Sequence, residues 1–247
     1  MKYEEVKAEG YLSNFVKCFW TSETFTKSVE HTILPDGYFD LIVEIKERNI
    51  IKIKLTGVWT IPIDIAKSSN TRIFAVRFKP LAAELLEDIN LKSLLNTSTI
   101  FQKTFLDLDT LSFEHFETFC LHIKRHLEIR IEKTKFISEW KICLFNQIFK
   151  KETYNVQELA EKCFFSSRKI NRYFNSNFGL SLKNYVNIVR CNSTFKNISK
   201  DNLCPESNYY DQSHYIKEVK KITGVTPKEL YRNKNDRFLQ LLTMKEN

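Results

Sequence analysis

Glycine and proline are scarce in this 247-residue chain, each occurring only five times. Residues 81–178 contain neither, whereas three glycines and three prolines lie within the first 80 residues. Because these two residue types supply the strongest turn signals, their distribution predicts strands and turns first and helices from Leu81 onwards. Apolar residues make up 43% and charged residues 28%, which excludes a disordered chain, a collagen and a simple coiled coil.

Long hydrophobic runs and closely paired cysteines are also missing. No run of 18 apolar residues occurs, so we expect no transmembrane helix and no membrane partner. The mixed, acidic first ten residues do not resemble a signal peptide, and we expect a cytoplasmic protein. None of the six cysteines forms a C-x-x-C pair, which favours reduced, mostly buried thiols, although an even count also permits a disulfide framework.

Phosphate-binding and nucleophile motifs are absent as well: the chain contains no G-x-x-x-x-G-K, G-x-S-x-G or G-x-G-x-x-G. We therefore expect no enzyme activity and no cofactor. The one polar cluster that could serve an enzyme contains His31, Asp36, Asp40 and Glu44. Turn formation by Asp36 and a solvent-facing strand edge explain these residues more simply.

The first 80 residues read as strands. Residues 39–45 are rich in β-branched side chains and follow the turn sequence 35–37, and residues 51–55 alternate with period two. Residues 15–20 and 73–78 predict two more strands, and Pro80 ends the latter. Trp20, Tyr38, Phe39 and Trp59 could line an effector pocket, but core packing is the simpler interpretation.

Beyond this β-rich part, Phe113, Phe116, Phe119, Cys120 and Ile123 recur at the spacing of one helix face. That face could pack against a second copy of the chain or be buried within one chain, and the spacing does not distinguish the two. The pair His122 and His126 at i and i+4 permits metal binding, but the Glu of H-E-x-x-H is missing and a solvated basic face is favoured.

The positive charge is concentrated in the C-terminal part. Residues 1–137 contain 19 Lys and Arg against 19 Asp and Glu, whereas residues 138–247 contain 19 against 11. The whole net charge of +8 therefore lies in the second segment. Such an excess is typical of a nucleic-acid-binding domain, although a basic domain without that function has the same charge.

The same segment contains an internal repeat at an offset of 45 residues. Ser166 aligns with Asp211, and both are good helix N-caps. Gly179 aligns with Gly224, which predicts a left-handed C-cap in each copy. Between these ends the apolar positions coincide, so each copy predicts one amphipathic helix.

A second short helix precedes the first copy. Asn155, with Glu158 three residues later, resembles a capping box, and an apolar face follows up to Cys163. Two short helices joined by a tight turn form a helix-turn-helix. The second helix carries a set of polar and mostly cationic side chains: Ser167, Arg168, Lys169, Asn171 and Arg172. Arg and Asn are residue types that bind base edges in the major groove.

Two copies of this unit on one chain resemble the AraC/XylS family of bacterial transcription regulators. The resemblance covers 138–232 and is most specific at DQSHY, residues 211–215, and at GVTP, residues 224–227. The strings ILPDG (33–37) and VRFKP (76–80) are similar to an uncharacterised β-rich sensor-type domain fused to some members. The resemblance implies sequence-specific recognition of double-stranded DNA in adjacent major grooves. It leaves open activation, RNA polymerase contact, a small-molecule effector and a homodimer.

The resemblance also assigns DNA-contacting positions. The base-contacting positions of the family correspond to Arg168, Asn171 and Arg172 in the first copy. In the second copy they correspond to Gln212, Ser213 and Lys217, with His214 beside them. Lys217 stands where the family usually has Arg and lacks the planar fork of the guanidinium. Phosphate contacts are expected from the remaining lysines of both copies, Lys169, Lys183 and Lys220.

The second copy departs from the family pattern. Pro205 aligns with Ala160, inside the supporting helix, so we expect that helix to begin at Pro205 and to be short. Val219 replaces a usual Phe, and the two glycines are closer together than in the family. The alternative function is therefore a decayed member that acts as a protein-interaction module without specific DNA binding.

These observations predict an α+β chain. We expect a β-rich sensor or dimerisation domain at 1–110, a connecting helix at 111–137, an all-α DNA-binding domain with two helix-turn-helix motifs, the second shortened, at 138–235, and a tail at 236–247.

Overall fold

A computed structural model describes residues 2–24, 29–67, 69–86, 88–134, 137–150, 153–204, 209–233 and 238. An N-terminal β region is followed by a helical region, which confirms the predicted fold class. The boundaries at 110, 137 and 235 stay predictions. One large core crosses the first two of them, because it includes Phe74 of the β region together with Phe119 and Phe174 of the helices.

The β region contains a six-stranded antiparallel sheet and a two-stranded sheet. The strands are β1 (Lys2–Lys7), β2 (Val16–Thr24), β3 (Val29–Ile33), β4 (Phe39–Lys46), β5 (Asn49–Thr56), β6 (Ile63–Lys67), β7 (Thr71–Phe78) and β8 (Ser98–Phe101). The large sheet has the order β1-β2-β7-β4-β5-β8, and β3 pairs with β6. The four strands predicted from the sequence correspond to β2, β4, β5 and β7.

A bulge in the large sheet changes the alternation expected of 51–55. The register between β4 and β5 shifts between Glu44 and Ile45, so that Ile45 lies opposite Ile50. Ile50 and Ile53 are therefore buried, while Ile51 is 48% exposed. Since a bulge adds one residue to one strand, it moves side chains from one face of the sheet to the other.

The prediction of helices from Leu81 onwards is wrong for 81–115. Three 3₁₀ helices (Pro80–Leu85, Leu91–Leu94 and Phe105–Thr110) and strand β8 lie here. The chain turns here at left-handed residues other than glycine: Asn96 precedes β8, and Leu106 and Asp107 form a kink inside the segment Phe105–Thr110. A lack of glycine therefore did not mean a lack of turns in this segment, because Asn and Asp tolerate the left-handed region.

The first long helix, α1 (Phe116–Lys133), buries its predicted apolar face within the chain. Phe116, Phe119 and Ile123 are at most 7% exposed. The rings of Phe116 and Phe119 lie 5.3 and 5.6 Å from the ring of Phe74 on β7. The alternative in which this face packs against a second copy is thus wrong, because the sheet of the same chain already covers it.

The remaining helices are α2 (Glu139–Phe149), α3 (Val156–Lys162), α4 (Ser167–Phe178), α5 (Leu182–Ser199), α6 (Gln212–Thr223) and α7 (Pro227–Arg232). A second core gathers around α5 and α6, with Phe195, Tyr215 and Val219 as members. Leu34, from the β region, and Phe238 also belong to it. The N-terminal region therefore supplies part of the core of the second repeat unit.

The turn at 35–37 joins the β region to α5. Tyr185 Oη donates a hydrogen bond to the Gly37 carbonyl oxygen at 3.0 Å, and Asn192 Nδ2 donates to the Asp36 carbonyl at 3.3 Å. Gly37 has φ +83°, and a Cβ there would lie 2.7 Å from Val189 Cγ2. A larger residue would be strained at this φ and would require the Val189 side chain to move, so glycine fits this position best.

The carboxylates considered as a candidate catalytic cluster are engaged in ion pairs. Asp36 Oδ2 lies 3.5 Å from Arg77 Nη1 and Asp40 Oδ1 lies 3.0 Å from Arg77 Nε, while Glu44 Oε1 lies 3.8 Å from Lys54 Nζ. Asp36 Oδ1 also accepts from the Tyr38 N–H at 3.0 Å, which confirms the predicted turn role.

Of the aromatic residues considered for a pocket, Trp20, Tyr38 and Phe39 are buried. Core packing therefore accounts for these three rings.

Candidate nucleic-acid interface

The first helix-turn-helix is formed by α3 and α4. Asn155 caps α3, since its side-chain oxygen accepts from the N–H groups of Gln157 and Glu158 at 2.8 and 3.3 Å. The predicted capping box is only half formed, because the Glu158 carboxylate accepts from the Thr153 hydroxyl instead. Phe164, at φ +50°, turns the chain toward α4.

Helix α4 buries one stripe and leaves the opposite stripe open. Ile170, Phe174 and Phe178 are at most 2% exposed and join the large core. At 100° per residue, Arg168 and Arg172 lie opposite this stripe, and both are exposed. Neither makes a hydrogen bond or an ion pair within the described ranges, so both guanidinium groups are available to a ligand.

The second copy repeats this arrangement at the predicted offset. Helices α4 and α6 both have 12 residues, with N-caps at Ser166 and Asp211 and left-handed glycines, Gly179 and Gly224, at their C-caps. On α6 the exposed Lys217 occupies the position of Arg172. The sequence repeat is thus a repeat of structure.

Three of the predicted DNA contacts have polar atoms engaged inside the protein. Asn171 Oδ1 accepts from the Leu182 N–H at 3.1 Å, and Gln212 Nε2 donates to the Leu203 carbonyl at 3.0 Å. His214 Nδ1 accepts from the Tyr210 N–H at 3.4 Å. A bidentate contact to adenine uses both the oxygen and the nitrogen of the amide, so Asn171 and Gln212 cannot make it in these conformations.

The other six predicted site residues are exposed: Ser167, Arg168, Lys169, Arg172, Ser213 and Lys217. Ser176 and Lys221 are not among the candidate site residues predicted from the sequence. Both are exposed, at equivalent positions one turn further along α4 and α6. The helical period of 3.6 residues, applied to the repeat, could have found both.

The segment that leads from α5 into the second copy is described up to Cys204. Asp201, at φ +65°, takes the chain out of α5, and residues 201–204 are not helical. The helix expected to begin at Pro205 lies outside the described residues. Leu34 and Tyr209 are buried in the second core together with Tyr215 and Val219 of α6.

Two stacked aromatic rings, of Trp140 and Phe165, lie beside α4. Trp140 on α2 stacks on Phe165 with ring centroids 4.3 Å apart, and Lys169 Nζ lies 5.5 Å above the Phe165 ring. Together with Arg172, Tyr173 and Ser176, these residues line a cavity of about 350 Å³ beside the exposed face of α4.

The β region contacts both helices at their C-terminal ends. A Cβ at Gly179 would lie 3.3 Å from Leu95 and Lys92, and one at Gly224 would lie 3.9 Å from Pro62. The Tyr173 hydroxyl donates to Glu84 at 2.8 Å. These contacts leave the exposed cations of α4 and α6 uncovered.

The histidine pair on α1 does not form a metal centre within the described ranges, where no cluster of three or more ligand side chains occurs. His122 Nε2 lies 2.7 Å from the Leu106 carbonyl, and His126 Nε2 lies 3.7 Å from Asp107 Oδ2. Desolvation and the neighbouring His122 lower the pKa of His126. In the same ranges, no helix is long and apolar enough to cross a bilayer.

The N-terminal region is similar to one known family of domains. Residues 4–99 match a family described as a domain of unknown function, DUF6597. The match agrees with the expected resemblance of this region to an uncharacterised domain. No curated protein matches the chain.

Among solved structures, the chain is similar to ToxT from Vibrio cholerae. One ToxT structure has a TM-score of 0.42 and 10% identity over 94% of this chain and 98% of that chain. An apo ToxT variant has a TM-score of 0.43 and 10% identity over 87% and 97% of the two chains. Another ToxT structure, bound to an unsaturated fatty acid, has a TM-score of 0.41 and 10% identity over 86% and 93%.

Proposed function

We propose that this chain is a sequence-specific DNA-binding transcription regulator of the AraC/XylS type. The observation that carries the proposal is the structural repeat: two 12-residue helices, each ending at a left-handed glycine, present an exposed cation, Arg172 or Lys217, away from the core. A solvated helix face explains one such surface. It does not explain the same surface at the same position in both copies.

The proposed mode of binding places α4 and α6 in adjacent major grooves. Arg168 and Arg172 have the planar fork that binds guanine O6 and N7 in a bidentate manner. Lys217 supplies a point charge, so we assign weaker base discrimination to α6. Lys169, Lys183 and Lys220 are exposed and fit contacts to phosphates, which fix the register of the protein on DNA.

For the N-terminal β region we propose the reception of a signal, and the contact of Gly37 with α5 supports this role. A cavity of about 850 Å³ between α1 and the 3₁₀ segments has room for a small effector. Since α1 buries its apolar face, a homodimer would have to use another surface. Contact with RNA polymerase and activation of transcription rest on the family resemblance alone.

The test of DNA binding is selection from random-sequence DNA, followed by titration of the selected site at low and moderate salt. We expect Arg172→Ala to weaken specific binding by about 1–3 kcal/mol. Lys217→Ala should weaken binding less and reduce its salt dependence, because it removes mainly a charge contact. The matched control is Lys103→Ala, which removes an exposed cation of the β region.

Each outcome of this experiment has a separate meaning. Loss of affinity in both α4 and α6 variants, with none in the control, supports reading by both helices. Loss in the Arg172→Ala protein alone restricts DNA reading to the first unit. An absence of salt-sensitive binding in the unsubstituted protein contradicts the proposal and favours the protein-interaction module.

A further inference from the structure

Two cysteine thiols meet inside the first helix-turn-helix unit. Cys143 lies in the middle of α2, and Cys163 directly follows α3. Their sulfur atoms are 2.7 Å apart, although both cysteines are free thiols. A disulfide bond needs about 2.05 Å, so a shift of well under 1 Å would allow the bond to form.

The two thiols differ in their access to solvent. Cys163 is only 5% exposed, and burial, together with the neighbouring Cys143 thiol, raises its pKa to about 12. Cys143 is half-buried, and its thiol also contacts the Lys162 carbonyl at 3.6 Å near the surface. A dissolved oxidant therefore reaches Cys143 first, and Cys163 is placed to react with the product.

We propose that Cys143 and Cys163 form a peroxide-sensitive modification site that closes into a disulfide bond. Hydrogen peroxide transfers one oxygen atom to Cys143 Sγ, which gives a sulfenic acid and one water molecule. Cys163 Sγ then attacks the sulfenic sulfur. The S–O bond breaks, the thiol proton leaves with the hydroxyl group, and a second water molecule forms.

The position of the bond determines its effect. It ties the middle of α2 to the residue that precedes the turn into α4, which is the helix assigned to DNA reading. Because the sulfur atoms are already in contact, the bond preserves the packing and restricts the motion of this turn. This effect does not depend on DNA binding, so the site can be tested even if the proposed function fails.

The test is treatment of the reduced full-length protein with hydrogen peroxide, followed by thiol counting and peptide mass spectrometry. In the Cys204→Ser protein, which lacks the exposed cysteine, we expect the loss of two of the five remaining thiols, a cross-linked peptide pair containing Cys143 and Cys163, and reversal by dithiothreitol. The midpoint of thermal unfolding should rise by about 7–13 °C, because the bond closes a loop of some 20 residues in the unfolded chain. Hydrogen exchange of the amides at 163–170 should slow.

Serine variants separate this site from general oxidation. Cys143→Ser and Cys163→Ser should each abolish the cross-linked pair and the thermal shift. Cys204→Ser, which removes an exposed cysteine elsewhere, should retain both. The proposal is overturned if the cross-link joins other cysteines, if Cys143 proceeds to a sulfinic acid without a bond, or if the bond lowers the unfolding midpoint.

Discussion

Gly37 packs directly against α5, where its carbonyl accepts a hydrogen bond from Tyr185. Gly37→Ala adds a methyl group that would lie 2.7 Å from Val189 at a left-handed φ. We expect a loss of about 2–4 kcal/mol, from backbone strain and overpacking together. Gly10→Ala is the matched control. Gly10 is also left-handed, at φ +58°, but has open space around it, so its cost should stay near 1 kcal/mol. Denaturant unfolding measures both, and equal losses would contradict the contact.

The Asp36 carboxyl group makes the stability depend on pH. Burial raises its pKa above the usual value, and this effect outweighs the lowering by Arg77. The folded state therefore binds a proton more tightly than the unfolded state. Stability should fall as the pH rises from about 4 through the raised folded-state pKa.

The control for this pH dependence is Asp36→Asn, which cannot titrate. As the pH rises through that window, the unfolding free energy of the unsubstituted protein should fall relative to that of the variant. An unchanged difference from pH 4 to pH 7 would mean that Asp36 titrates at its ordinary pKa.

The two repeat helices differ at their N-caps, although the sequence predicted a cap for both. The Asp211 side chain accepts from the His214 N–H at 2.7 Å, whereas the Ser166 side chain makes no cap hydrogen bond. Asp211→Ala should cost about 1 kcal/mol, and Ser166→Ala close to nothing. Thermal unfolding of the two variants provides the comparison. A larger loss at Ser166 would contradict the assigned caps.

Among the secondary-structure elements, the sequence pattern predicted the strands β2, β4, β5 and β7, helix α1 and both repeat helices. It missed β1, β3 and β6, and it took 81–115 for helix. The reason is physical: Asn96, Leu106 and Asp107 turn the chain at left-handed angles without glycine. The engagement of Asn171 with Leu182 could not be predicted either, because it depends on where α5 begins in space.

At the scale of the whole molecule, the core of the helical region includes a residue from the β region. Leu34, which is fully buried, joins the second core from the β region. Leu34→Ala should destabilise the protein by about 2–5 kcal/mol, and hydrogen exchange should increase in α6. Leu121→Ala is the control, since Leu121 is 67% exposed. If the exchange increased only in the β strands, Leu34 would not support the second unit.

The repeat spacing predicted the two matching helices α4 and α6, and the assignment of a DNA-binding site to this half of the chain stays a prediction. The spacing did not predict that the β region would touch both repeat helices, at Gly179 and at Gly224. Contacts between residues so distant in sequence leave no local pattern, because each side of the interface reads as ordinary loop or helix sequence.

The bridge between Thr32 on β3 and Phe238 has a consequence for biosynthesis. It joins residues separated by most of the chain, and such contacts form late because a long loop must close first. During translation the N-terminal region leaves the ribosome first, so Leu34 cannot complete the second core until Phe238 has also emerged. Helix α6 is therefore expected to complete its packing late, and chains truncated before Phe238 would have an incomplete second core.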